Sequence, residues 1–222
     1  MKKRNNIITI AIDSPAAAGA GTQAKLIAKE YNLLYLDTGK IYRFIGKLFL
    51  ENKNKFDYKF LNKKIKKLKF DKLKDKSLLS DKVASSASII AKDFKIRKMI
   101  KKFQLNCAYN PPKKFSGSVL DGRDITSVIM KNSKIKFYIT ANIKVRAMRR
   151  YKEYKNLKKK ITYNEVLKSI KNRDYLDRNR KISPLKKTED SILINTSKLS
   201  KKACFKKIKA IIDRKILING NI

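Results

Sequence analysis

The feature that most constrains this chain is the change of character within residues 7–22, where Ile-Ile-Thr-Ile-Ala-Ile gives way to Asp-Ser-Pro-Ala-Ala-Ala-Gly-Ala-Gly-Thr. Six isoleucine-rich residues without proline or glycine predict a strand buried on both faces. Small residues then crowd the place where the strand must become a helix, whose run continues through Gln23, Ala24, Lys25, Leu26 and Ile27. A strand, a small-residue turn and a helix together present successive backbone N–H groups and the positive end of a helix dipole, an arrangement that surrounds a phosphate. Thr22 stands where such loops place the hydroxyl that meets Mg²⁺. Two positions depart from the pattern: Ser14 replaces the usual first glycine, and Ala20 replaces the lysine that grips phosphates. The same succession also occurs as plain α/β architecture, so the rest of the chain has to decide.

The remaining sequence continues the alternation. Residues 33–36 read as a second strand closed by Asp37-Thr38-Gly39, and Ile41, Phe44, Ile45 and Leu48 then predict an amphipathic helix. Residues 52–80 change to lysines interrupted by isolated Phe, Leu and Tyr, which suggests a small peripheral insertion. Helical spacing resumes at Val83, Ala87, Ile90, Ala91 and Phe94 and runs on to about Leu105, before Pro111 and Pro112 block it. Strands are expected at 118–121, 135–140 and 191–195. Helices are expected over 141–154, after the capping box Thr162-Tyr163-Asn164-Glu165, and after Ser200, with Cys204, Ile208, Ile211 and Ile212 inward. Strands alternating with helices at this rhythm predict a mainly parallel sheet covered on both faces, with ligands bound beyond the carboxyl ends of its strands. Asp13, Asp37 and Asp121 each close an expected strand, so a rim of three carboxylates organising Mg²⁺ and its waters is anticipated, against turn capping as the plainer alternative.

At 222 residues the chain suits one α/β domain. Its net charge of +39 raises nucleic acid or an anionic surface as a partner. The 46 lysines are spread over almost every polar face, however, as a coding bias would spread them. The 11 arginines are more informative, because a planar bidentate donor suits phosphate, carboxylate or a base. With no histidine, imidazole catalysis is excluded for this chain, whereas phosphoryl transfer survives because it rests on positioning and cations. Cys107 and Cys204 have no metal-ligand spacing. No apolar run approaches about 18 residues, and residues 1–6 lack a signal-peptide core, so a cytoplasmic location without membrane insertion is expected.

Four further clusters line up with the loop: Asp37-Thr38-Gly39-Lys40-Ile41-Tyr42-Arg43, Ser88 with Arg97, Asp121-Gly122-Arg123-Asp124, and Arg173-Asp174-Tyr175-Leu176-Asp177-Arg178-Asn179-Arg180. Together they resemble the bacterial cytidylate kinases, over nearly the whole chain. The resemblance implies a P-loop NTPase-like sheet with a short monophosphate-binding insert at about 52–82 and a lid at about 150–182, all within one domain. It implies that Ser14, Pro15, Ala16, Ala17, Ala18, Gly19, Ala20, Gly21 and Thr22 hold ATP, with Thr22 at the metal. It places Ser88, Arg97 and Asp124 on cytosine, and Arg43, Arg123 and Arg180 on the acceptor phosphate. Arg173 and Asp177 read the sugar, and Thr38 belongs to the same CMP site. Arg146, Arg149 and Arg150 lie just before the lid, where a solvated helical face is the plainer reading. The insert looks shorter than the family's, which puts its sheet-like part in question.

The resulting expectation is a monomeric enzyme that moves the γ-phosphoryl of Mg-ATP to CMP or dCMP. A lapsed kinase that only binds nucleotides, and a basic nucleic-acid-binding protein, are the alternatives; the second is disfavoured because neither an aromatic RNA-binding string nor a recognition helix is apparent. For the missing lysine the best substitute is Lys40, which follows Asp37-Thr38-Gly39 at the start of a helix, where the family usually has a small residue. Asp177→Ala is expected to separate the two sugar forms while leaving the phosphate grip intact.

Overall fold

A computed structural model describes residues 7–218. Residues 1–6, on which the expectation of no signal-peptide core rests, lie outside the described residues. Two compact units form, one from the chain up to residue 36 and from 108 onward, the other from residues 37–107.

The first unit is built on a sheet of five strands, β1 (Ile8–Asp13), β2 (Leu33–Asp37), β3 (Gly117–Gly122), β4 (Ile135–Thr140) and β5 (Ile192–Asn195), in the order β2-β3-β1-β4-β5. β1 runs parallel to both neighbours, with Asp13 opposite Gly122 on β3 and Tyr138 on β4, and β4 runs parallel to β5. The unbroken apolar run of β1 is what this central position needs, and Ile10, Ala11 and Ile12 are fully buried. Gly117 is required at the start of β3, because a Cβ there would stand 1.9 Å from the Ile8 carbonyl oxygen.

Helices α1 (Ala20–Glu30) and α8 (Lys201–Ile218) contribute to the main hydrophobic cluster. Ala20, Gln23, Ala24 and Ile27 turn inward from α1 at helical spacing. Cys204, Ile208 and Ile212 do the same from α8, with Ile211 only partly buried, and the Ser200 hydroxyl accepts the Ala203 N–H at 3.1 Å. Helices α6 (Ile143–Asn156) and α7 (Tyr163–Asn179) pack around Ala147, Val166 and Ile170. The expected capping box is formed: the Thr162 hydroxyl accepts the Glu165 N–H, and the Glu165 carboxylate accepts the Thr162 N–H at 2.7 Å.

The second unit contains α2 (Thr38–Glu51), α3 (Tyr58–Lys66), α4 (Asp81–Ile90) and most of α5 (Phe94–Tyr109). The expected insert falls inside it, and among the described residues 52–82 holds only helical and turn segments, without a strand. α2 and α4 approach closely at Gly46, where a Cβ would lie 2.8 Å from the Ala87 backbone nitrogen.

Candidate active site

The sheet topology decides where the strand-end residues can act. Because β1 lies beside β3, the loop after β1 starts against the end of β3, and the Ser14 N–H donates to the Gly122 carbonyl at 3.2 Å. Gly19, at φ 92°, caps α1 without a side chain, and the Gln23 N–H closes the first helical bond onto its carbonyl at 3.1 Å. The amides of Ala20, Gly21 and Thr22 therefore open the helix with no intrahelical partner, which is the donor set an anion needs. Thr22 is exposed. Gly21 leaves room for a carboxylate, since a Cβ there would meet Asp121 Oδ2 at 3.3 Å and the Tyr35 hydroxyl at 3.4 Å.

Pro15, Ala16, Ala17 and Ala18 form the bend before this turn. Ala17 sits at φ 58°, a left-handed conformation that costs an alanine about 1–2 kcal/mol. Its methyl packs against the Ala147, Val166 and Ile170 cluster between α6 and α7, a contact glycine could not make. Ala16 is held through both backbone groups: its N–H donates to Asp174 Oδ1 at 3.2 Å and its carbonyl accepts from Arg146 Nη1 at 3.0 Å. The Ala18 carbonyl accepts the Thr196 hydroxyl at 3.0 Å. Arg149 donates in turn to the Thr196 hydroxyl and carbonyl, at 2.8 and 2.7 Å. Arg146 therefore does not lie on a solvated helical face but is buried, and it pairs with Asp174 at 2.6 Å. Thr196 does not stand out in the sequence, and Asp174 is seen there only as a member of the Arg173 to Arg180 cluster, because each contacts the loop through long-range packing.

Asp13 corrects the expected rim of three metal-organising carboxylates. It is fully buried and accepts the N–H groups of Ile125 and Thr126, both at 2.8 Å, and the Thr126 hydroxyl at 2.6 Å. This fixes the π-helical turn Ile125–Ile129, next to Asp124, so the plainer capping role holds for this residue. Burial pushes its carboxyl up to about 6 from 3.8, against the lowering effect of those three donors and with some help from neighbouring Asp124. A carboxyl raised on folding holds its proton more tightly in the native state, so between pH 3.8 and about 6 its contribution to stability falls as pH rises. The cost at neutral pH is about 3 kcal/mol. Relative to Asp13→Asn, the native chain is expected to gain unfolding free energy as pH falls from 7 to 4, read by denaturant titration at each pH. A difference that does not vary with pH would show that burial leaves Asp13 unshifted.

The arginine-rich end of α7 forms one network. Asp177 lies 2.8 Å from Arg123 Nε, 3.6 Å from Arg180 Nη1 and 3.9 Å from Arg173 Nε. Burial alone would raise the Asp177 carboxyl, but Arg123, Arg173 and Arg180 hold it below the usual carboxylate range. Asp177 in turn favours the Arg123 guanidinium against its own burial. Arg180 reaches Asp124 at 4.0 Å and donates to the Ser183 carbonyl at 2.6 Å. Arg123, Asp124, Arg173, Asp177 and Arg180 are thus gathered in the first unit.

Thr38, Lys40, Arg43, Ser88 and Arg97 belong to the second unit. Thr38 is buried at the start of α2. Arg43 donates to the Leu78 carbonyl at 2.9 Å. Arg97, buried, donates to the Ala91 carbonyl at 3.0 Å, and its guanidinium lies 5.4 Å from the centre of the Tyr42 ring. The Ser88 hydroxyl donates back to the Ala84 carbonyl at 3.1 Å. Lys40 lies in the first turn of α2, where a cation opposes the helix dipole, three residues after the N-cap Asp37.

The parallel sheet, the loop-to-helix turn after its central strand and the gathered arginines define a phosphate-binding α/β protein of the P-loop type. The fold itself is shared: the crystal structure of an uncharacterized protein from Eubacterium ventriosum superposes with a TM-score of 0.52 at 18% identity, covering 93% of this chain and 98% of that one. The family model for cytidylate kinase matches residues 10–214, and the chain belongs to that family. Among its relatives, the cytidylate kinase of Fusobacterium nucleatum is 40% identical over 88% of this chain and 92% of its own. That of Bartonella tribocorum is 42% identical over 88% and 90%, and that of Clostridium tetani 37% over 95% and 96%.

Proposed function

We propose that the chain phosphorylates CMP, and also dCMP, with Mg-ATP to give CDP or dCDP and ADP. The observation that carries this reading is the pairing of an anion-ready turn at Ala20, Gly21 and Thr22 with the arginine network around Asp177, in a chain of the cytidylate kinase family. An oxygen of the CMP phosphate is already anionic near neutral pH, so it attacks the γ-phosphorus without a protein base while ADP leaves. The work left to the protein is to align donor and acceptor and to balance charge. The loop amides take the donor phosphates, Arg43, Arg123 and Arg180 the acceptor phosphate, Arg173 and Asp177 the sugar, and Ser88, Arg97 and Asp124 the base, with Thr38 also assigned to CMP by the family resemblance.

The residues present suit Mg²⁺. A hydroxyl on Thr22 and a carboxylate on Asp121, close to Gly21, are hard oxygen donors beside the same turn. Among the described residues there is no cluster of three acidic, histidine or cysteine side chains, and Mg²⁺ needs none, because it keeps waters and takes one or two protein ligands beside substrate phosphates. Thr22 and Asp121 would hold the ion, and when bound with ATP it would supply neutralisation of phosphate charge.

No described helix is long and apolar enough to cross a membrane. We take a monomeric cytoplasmic enzyme as the working form. A coupled assay of the purified chain against CMP, dCMP, UMP and AMP is expected to show the highest kcat/KM with the cytidine nucleotides. Faster turnover of UMP or AMP would overturn the base assignment, and nucleotide binding without turnover would point to a lapsed kinase.

A further inference from the structure

Two side chains, Asp174 and Arg146, fix the shape of the phosphate loop. Asp174 and Arg146 have side-chain exposures of only 10% and 5%, and between them they engage both backbone polar groups of Ala16. Arg146 is itself anchored by its Nε, which donates to the Ala141 carbonyl at 2.9 Å. A buried ion pair of this kind recovers little net stability, because desolvating two charges offsets most of their attraction. Its effect is to set orientation: with N–H and carbonyl both held, the peptide planes on either side of Ala16 cannot rotate. The next residue is the left-handed Ala17, which would relax toward an ordinary conformation if that hold were released. Loop shape matters more here than in a loop with a lysine, because Ala20 leaves the backbone amides as the loop's own phosphate donors.

We propose that Asp174, together with Arg146, is a positioning residue for the donor phosphates. It holds the loop in its phosphate-ready shape from α7, one residue from Arg173 and one turn from Asp177. This inference rests on the reading of the site as an ATP-dependent CMP kinase, and its direct measure is nucleotide affinity without turnover.

The experiment measures ATP and CMP affinity by isothermal titration, with Mg²⁺ present, for the native chain and for Asp174→Asn, Asp174→Ala and Arg146→Lys. Thermal unfolding and circular dichroism are recorded on the same samples. Asparagine keeps an oxygen for the Ala16 N–H but turns an amide toward Arg146, so ATP affinity should fall in the order native, Asn, Ala. The alanine variant should lose about 10²-fold in kcat/KM for ATP, as misplacement of about 1 Å at a reacting group does. CMP affinity should change less than threefold. Folded Asp174 variants with native ATP affinity would overturn the inference, and so would equal losses for ATP and CMP, which would mark Asp174 as merely structural. Should Asp174→Ala not fold, the isosteric Asn variant and Arg146→Lys decide by the same two affinities. A native chain that turns over no CMP would instead defeat the functional reading and leave the ATP comparison intact.

Discussion

Arg123→Ala is expected to lower kcat/KM for CMP by about 10²- to 10³-fold, the usual cost of losing one preorganised donor to a reacting phosphoryl group. Two effects combine. The acceptor phosphate loses a forked donor, and Asp177 loses its closest cation, at 2.8 Å, in a half-buried setting where an underpaired carboxylate is costly. Arg123→Lys should recover only part of the loss, because an ammonium cannot reproduce the fork that spans Asp177 and a phosphate. ATP affinity, set at the other end of the reaction, should stay within a few-fold of native. Steady-state kinetics with each substrate varied in turn make the check; a kcat/KM for CMP within threefold of native in Arg123→Ala would remove Arg123 from the acceptor site. The network also corrects the expectation for Asp177→Ala. That change would release Arg123, Arg173 and Arg180 together, so it should depress turnover of CMP and dCMP alike rather than separate the sugars with the phosphate grip intact.

Lys40→Ala is the second large effect, expected at about 10²- to 10³-fold in kcat with CMP affinity nearly unchanged. The loop has no lysine of its own, and Lys40 lies in the first turn of α2, directly after Asp37-Thr38-Gly39. Ala20→Lys should restore much of the turnover in the Lys40→Ala background. The restoration has a structural condition: Ala20 is 4% exposed and packs in the main cluster, so the lysine stem must run along apolar side chains before its ammonium emerges. Melting temperatures of the single and double variants separate a folding defect from a catalytic one. If Lys40→Ala keeps native turnover, Lys40 is not the substitute. Arg149 is then the next residue to change, because its Nη1 lies 3.9 Å from where a Gly19 Cβ would be and, among the described residues, no carboxylate lies within 4.0 Å of it.

The elements were legible because their signals are local. An isoleucine-rich run gave β1, the Thr162 to Glu165 box gave the start of α7, and inward spacing at Cys204, Ile208 and Ile212 gave the buried face of α8. Arg173, Asp177 and Arg180 were singled out by the family resemblance, and the structure brings them together because they sit at the i, i+4 and i, i+3 spacings of one helix. Asp13 was misread because a carboxylate closing a strand can face a ligand or a neighbouring turn, and only the adjacency of β1 and β3 decides. Asp174 and Arg146 were illegible as a pair. Each is one charge among many in a lysine-rich chain, and what makes them matter is the fold that lays α6 and α7 against Ala16.

The central position of β1 governs how this protein loses its activity. A strand hydrogen-bonded on both flanks cannot be exposed by fraying at a sheet edge; both ladders must open, which amounts to unfolding the unit as a whole. The turn that follows β1 has its root in the part of the molecule that opens last. Heat or denaturant should therefore remove active molecules one at a time instead of softening all of them, so inactivation curves follow the unfolding curve. Substitutions far from the reacting atoms that weaken the sheet will lower the number of working molecules while each survivor keeps its native KM.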